Sequence, residues 1–478
     1  MGSAAAPPAT VDVADVMREI QGNILRAYGR QYVAVRHLVL RIGDARAARR
    51  GLAALIDGDR GTPDVTTGER PPRELNFRWC LNIGFTYRGL GAIGVPESSL
   101  GTFPAEFRLG MVARAGRLGD VGDSAPQNWI EGFADDRNVH VIVTIHGCSL
   151  ADIERVSGQV LGIEGGSAWS PVVAEPLDGE AMIDPATNQR LVHFGYADGI
   201  SQPRFLGVHD PEEINDPLPF APLGTILLGH TSSLPHVTWT VPDPSVLGRN
   251  GTFNAFRVLA QDVDGFEDFL AEQQRQYGAD PEETAAKLCG RWRRSGVPLS
   301  LAPTAADAAA FNDPGRLNDF DYVDNDPDGE VCPIGAHIRR ANPRGAHIVQ
   351  RGSNRTRALI RRGIPYGPPF DPELPGSRET PRGLLGNFLC ANLAAQFESM
   401  QYDWINLGLQ DPRITGSNDP LIGANDPAFS RFTWPQSGAP PRTLRGLPRF
   451  VTTRGGAYTF LPSIPALRWI AACGAAMG

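Results

Sequence analysis

The chain has 478 residues, 41% of them hydrophobic and 21% charged, with a formal net charge of −8. Single hydrophobic cores stop growing at roughly 250–300 residues, so two domains are expected. An acidic chain repels phosphate backbones, which argues against a nucleic-acid partner, and no run approaches the ~18 consecutive apolar residues of a membrane helix.

Residues 1–31 read as a lead with one short helix, for which Asp15 is the expected cap. They lack a basic start and a hydrophobic run, so no secretory signal is visible and a cytoplasmic location is expected. The six cysteines are scattered without a CxxC pair, which fits reduced thiols.

Tyr32 to Ile42 is rich in β-branched residues and reads as a strand. Asp44 can cap a helix over ARAARRGLAALI. Further strands are expected at Cys80 to Tyr87, Asn138 to His146 and Val172 to Leu177, with a helix from Leu150 to Leu161. This β-α-β-β-α-β order is the ferredoxin-like arrangement. The second half repeats it, with strands at Thr252 to Leu259, Ala346 to Gln350, Arg357 to Ile360, Leu384 to Cys390 and Tyr458 to Leu461. Its helices are Asp264 to Tyr277 and Ala394 to Trp404. The fold class is therefore α+β, with a lead at 1–31 and ferredoxin-like domains at 32–215 and 216–478.

Gly89 to Gly94 matches GxGxxG, but Pro96 and the ESSLGT segment leave no room for a crossover helix. A turn and a short helix explain it better than a nucleotide site. Of the nine histidines, His37, His140, His146, His230 and His236 stand alone in strand-like text and read as core or surface residues. No HxH or HExxH pair occurs, which leaves single-histidine ligation as the metal option. His337 differs by its setting, VCPIGAHIRRANPR. A haem would use such a segment twice, with the imidazole on iron and Arg339, Arg340 or Arg344 on the propionates; a buried structural histidine among solvated arginines would read the same. Asp198, in FGYADGISQP, is held between Gly195 and Gly199. That is either a fixed carboxylate or an Asp-Gly turn. The five arginines between Arg351 and Arg362 are broken by apolar residues, so a structural or anionic-cofactor role suits them better than nucleic acid.

Together these segments resemble the dye-decolourising peroxidase family. GYADG at 195–199 resembles its GxxDG motif, CPIGAHIRRANPR at 332–344 its haem-ligand segment, and IRRGIPYG at 360–367 the strand of its distal arginine. IQGNI at 20–24, the helix containing Gln396 and Trp404, and RGLPRFVTTRGGAY at 445–458 resemble its remaining landmarks. The similarity runs in order over nearly the whole chain and is greatest to the larger, advanced branch. It implies two ferredoxin-like domains of the dimeric α/β-barrel type, with one haem b per chain in the C-terminal domain. It implies His337 as proximal ligand, Asp419 as the carboxylate hydrogen-bonded to it, Asp198 as distal acid–base residue and Arg361 as distal arginine, with Arg362 as the neighbouring alternative. Arg339, Arg344, Leu384 and Phe388 are expected to line the haem. The implied activity is reduction of hydrogen peroxide and oxidation of dyes, phenols or other aromatic donors through a high-valent iron intermediate; a homodimer is compatible with it. The alternative is a haem carrier or iron-releasing protein on the same fold. One departure stands out: family members commonly read GLLF where this chain has Gly383-Leu-Leu-Gly386. Either Gly386 widens the distal pocket, or Phe388 fills it from a shifted position.

Overall fold

The computed structural model describes residues 12–473 apart from 59–61, 71–76, 211–218, 235–236, 346–353 and 437. The first half carries β1 (Ala34–Ile42), β2 (Trp79–Phe85), β3 (Val141–Gly147), β4 (Trp169–Pro171), β5 (Leu177–Glu180), β6 (Met182–Ile183) and β7 (Arg190–Leu191). The second carries β8 (Thr252–Gln261), β9 (Ile360–Tyr366), β10 (Gly383–Cys390), β11 (Arg431–Gln436), β12 (Ala439–Arg445) and β13 (Val451–Leu461).

Nine strands form one sheet in the order β4-β1-β3-β2-β13-β8-β10-β9, with β5 also paired to β1. The halves join where Phe460 of β13 lies opposite Phe85 of β2. The sheet then curls until its ends meet. Gly179 on β5 packs so close to β9 that an added Cβ would lie 2.9 Å from the Pro365 carbonyl. Helices cover the outside. The helix Ala45–Asp57 starts where Asp44 Oδ1 accepts from Ala47 N–H at 2.6 Å, and ends at left-handed Gly58. Such a cap contributes about 1 kcal/mol. Leu52 and Leu55 of that helix are buried in the main core, as are Ile153 and Val156 of Leu150–Leu161, which packs on β1 and β3. In the second half Asp262 caps Val263–Tyr277, whose Phe266 and Phe269 pack on Phe450.

Chain order and fold class match the sequence reading, and several local expectations are corrected. The first helix, Val13–Glu19, is capped by Asp12, with Asp15 inside its first turn. Residues 172–176 are not a strand; β4 and β5 flank them, and β5 begins at Leu177. Asn354–Arg357 is a helical turn and the strand begins at Ile360, because the Arg357 guanidinium is drawn to Asp403 at 2.9 Å and to the Trp404 ring. The expected helix at Ala394 to Trp404 is present as two π-helical segments, Leu393–Glu398 and Met400–Asn406. The strand expected at 346–350, the His236 position and the boundary at 215 lie outside the described residues. GxGxxG forms a helix, Tyr87–Ile93, ended by left-handed Gly94. Gly89 is there because a Cβ would collide with the His140 carbonyl at 1.8 Å, so packing accounts for it. All six cysteines are unpaired. Among the described residues no helix is long and apolar enough to cross a membrane.

Candidate active site

His337 is the first residue of a short helix, His337–Ala341, entered through the turn that Pro333 and Gly335 shape. Its Nδ1 hydrogen-bonds to Asp419 Oδ2 at 2.9 Å. Asp419 has no solvent exposure, whereas the His337 side chain retains 20%. The other Asp419 oxygen accepts from the Leu421 and Ile422 N–H groups at 2.9 and 3.0 Å. Burial alone would raise the Asp419 carboxyl; His337, Arg340 and the Ile422 N–H outweigh it and hold it below the usual carboxylate range. An ionised Asp419 fixes Nδ1 as the protonated nitrogen and leaves the Nε2 lone pair as a ligand. Nε2 makes no hydrogen bond among the described residues. Those residues also contain no cluster of three His, Cys, Asp or Glu that could hold a metal. The donor set is thus one imidazole backed by one carboxylate, which fits a group whose own ring nitrogens supply the other ligands, as haem does.

Arg340, one residue from Arg339, is buried and spans Gly335 O, Trp404 O and Ser417, tying the histidine turn to the segment before Asp419. Arg339 is committed within the protein. It donates to Asp326 and to the Cys332 carbonyl and stacks on the Tyr322 ring at 4.4 Å. Arg344 donates to Asn318 O at 2.7 Å and to Ser201 Oγ at 3.3 Å. It therefore links the histidine segment to the loop of Asp198.

That loop is held at several points. Gly195 and Gly199, at φ 83° and 78°, adopt a backbone that other residues rarely take. Asp198 N–H donates to Arg190 O at 2.9 Å, and the Asp198 side chain is exposed. Beyond it, Ile200 O accepts from Asn318 Nδ2 at 2.8 Å. Ser201 O accepts from Arg361 Nη2 at 3.0 Å. Gln202 completes a reciprocal pair with the Arg361 main chain, at 3.1 Å in both directions. The structure thus brings Arg361 to within three residues of Asp198 through direct bonds. Sequence reasoning missed Asn318 and Gln202, the residues that make this approach rigid; only the position of Gln202 just after the motif hinted at it.

Arg361 lies opposite Phe388 on β10, Gly363 opposite Gly386 and Pro365 opposite Leu384. Side chains alternate across a sheet, so Leu384, Gly386, Phe388 and Arg361 share one face. A Cβ on Gly386 would meet the Phe388 ring at 2.7 Å. Phe388 therefore occupies the space that the absent aromatic at 386 would take.

Residues 19–170 match the DyP dimeric alpha+beta barrel domain. Peroxidase 2 of Mycetinis scorodonius is 31% identical, over 95% of this chain and 87% of its own. The multifunctional dye peroxidase DyP2 of Amycolatopsis sp. is also 31% identical, over 96% of this chain and 97% of its own. The chain belongs to the dye-decolourising peroxidase family. A solved dye-decolorizing peroxidase in complex with 2,6-dimethoxyphenol superimposes with a TM-score of 0.79 and 29% identity, covering 95% of this chain and 99% of that one. Peroxidases of this family are haem-dependent, and this chain is one of them.

Proposed function

We propose that this peroxidase binds one haem b through His337 and reduces hydrogen peroxide with Asp198 and Arg361, oxidising dyes and phenols in return. The observation that carries the reading is the His337–Asp419 pair, linked through Arg344 to a second loop that carries Asp198 and, through Ser201 and Gln202, bonds Arg361. When bound through His337, haem would supply Lewis-acid and two-electron redox chemistry. Asp419 keeps the proton on Nδ1 of His337 and raises the donor strength of Nε2. Leu384 and Phe388 form the apolar wall that excludes water from the distal side. Asp198 takes the proton from one peroxide oxygen and returns it to the other as the O–O bond breaks, which is general acid–base work by one carboxylate. Arg361 is permanently charged, and its position, fixed by Ser201 and Gln202, lets it stabilise negative charge on the departing oxygen.

A small phenol such as 2,6-dimethoxyphenol, present in the similar solved structure, fits the donor role. Bulky dyes would instead hand electrons to a residue near the surface. Tyr402 is 37% exposed, with the Arg117 guanidinium 5.0 Å from its ring centre, and Trp404 lies buried two residues on. Six unpaired thiols suit a reducing cytoplasm. A haem carrier on the same fold would need neither Asp198 nor Arg361. The test is the absorption spectrum of purified protein before and after one equivalent of hydrogen peroxide. A Soret band that shifts and then returns on adding 2,6-dimethoxyphenol is expected. A Soret band indifferent to peroxide would indicate the carrier, and no Soret band would remove the cofactor.

A further inference from the structure

The interior of the curled sheet holds a second polar site, on the opposite face of β9 and β10 from Arg361 and Phe388. A small cavity of about 30 Å³ lies between the two halves, lined by Asn82, Thr144 and His146 from the first and Asn254, Arg362, Asn387 and Thr459 from the second. The pairing explains why they meet. Asn82 lies opposite Thr144, Thr459 opposite Asn254 and Arg362 opposite Asn387, so one level of the barrel is a band of polar side chains.

Arg362 is the unusual member. Its Nε and Nη2 donate to the carbonyls of Asn23 and Ile24 at 2.9 and 3.0 Å, and its Nη1 reaches only Arg361 O at 3.4 Å. No carboxylate pairs with it among the described residues. Burial and then the Arg361 charge push the Arg362 guanidinium down to about 10, so it stays a cation at neutral pH. The other groups do not supply the missing charge. His146, which accepts from Asn23 Nδ2 at 3.2 Å, is pushed down to about 3, first by burial, and stays neutral. Asn254 is 3% exposed, and its Oδ1 has no partner. Its Nδ2 donates to Asn387 Oδ1 at 2.8 Å. The two amides can be turned together, since oxygen and nitrogen are assigned from the bonding network. Turning them keeps their mutual bond and points an N–H₂ into the cavity. Thr144 adds a hydroxyl donor when it accepts from His37, while Thr459 then donates to the turned Asn254 oxygen. A half-buried cation without a counter-charge, set beside a pocket of donors, favours an anion.

We infer that the barrel cavity is a binding site for a small monovalent anion of halide or formate size, held by Arg362, Asn254 and Thr144. The site is separate from the peroxide-reducing face and independent of the haem assignment. Its occupant neutralises Arg362 and so ties the two halves together at their seam.

The probe is bromide. Crystals of the holoenzyme grown or soaked in sodium bromide are expected to show an anomalous peak in the cavity, within contact distance of the Arg362 guanidinium. In solution, bromide is expected to raise the melting temperature of the wild-type holoenzyme saturably by about 1–3 °C more than that of Arg362→Gln in the same salt series. The comparison with the variant removes any contribution from bromide at the haem iron. Density for water alone in the cavity, with anomalous peaks only elsewhere, would overturn the proposal. Equal salt responses of wild type and Arg362→Gln would do the same. If Arg362→Gln does not fold, the wild-type crystal decides.

Discussion

Two consecutive arginines on β9 face opposite ways, and their surroundings could hardly differ more. Arg361 is exposed, fixed by Ser201 and Gln202, and shares its face with Leu384 and Phe388. Arg362 is turned into the barrel among carbonyls and amides. A strand's two-residue period separates them. One face carries groups that can meet a substrate, and the other carries charge that holds the two halves of the sheet together. Adjacent residues of one type thus acquire different roles from the layer each enters.

The largest expected effect lies outside this pair. His337→Ala should abolish stable haem binding, seen as loss of the Soret band at normal yield of folded protein; a retained histidine-ligated spectrum would reassign the ligand. Next comes the comparison of the arginines. Arg361→Leu should slow the peroxide reaction by roughly 10²-fold, the scale of losing one electrostatic donor, with haem content unchanged. Arg362→Leu should instead lower the melting temperature, with a much smaller change in that rate. Rapid-mixing spectra and thermal melts on both variants check this, and an exchange of the two outcomes would move the catalytic role by one residue. A third change acts on the wall. Gly386→Phe places a ring where Phe388 already sits, and overpacking of this kind costs about 1–3 kcal/mol. Gly386→Phe with Phe388→Ala should recover most of that loss in denaturant unfolding.

A pH-dependent effect concerns the barrel face. His37 is 1% exposed, and burial pushes its imidazole down to about 3. The unfolded chain gains a proton on this group below about pH 6.5 and the folded chain does not. Stability should therefore fall as pH drops from about 6.5 towards 3, by roughly 1.4 kcal/mol per unit from this group. His37→Gln should flatten that slope in urea titrations across pH, and an unchanged slope would remove the assignment.

The sequence carried most of the scaffold because its signals are local. The Asp44 cap and the β-branched runs of β1 and β3 read directly as structure. So did Gly195 and Gly199, whose positive φ angles shape the Asp198 loop. What failed depended on distant partners. Arg357 leaves the strand for Asp403 and Trp404, which its local sequence does not reveal. Asn318 bridges two loops from a segment with no motif of its own, and the β11–β12 hairpin follows a Pro-rich stretch without clear alternation. The shift of the aromatic from position 386 to 388 was legible as a question, and close packing of Phe388 on Gly386 answers it.

The central claim is that one carboxylate, Asp198, moves the peroxide proton. Asp198→Asn keeps the size of the side chain and the backbone bond to Arg190 but cannot accept the proton. Stopped-flow measurement of the bimolecular reaction with hydrogen peroxide, on wild type and Asp198→Asn at equal haem content, tests this directly. A drop of about 10²–10⁴-fold is predicted, the usual contribution of a positioned acid–base group. A variant reacting at the wild-type rate would contradict the account and leave Asp198 as a turn residue, with Arg361 or water carrying the step.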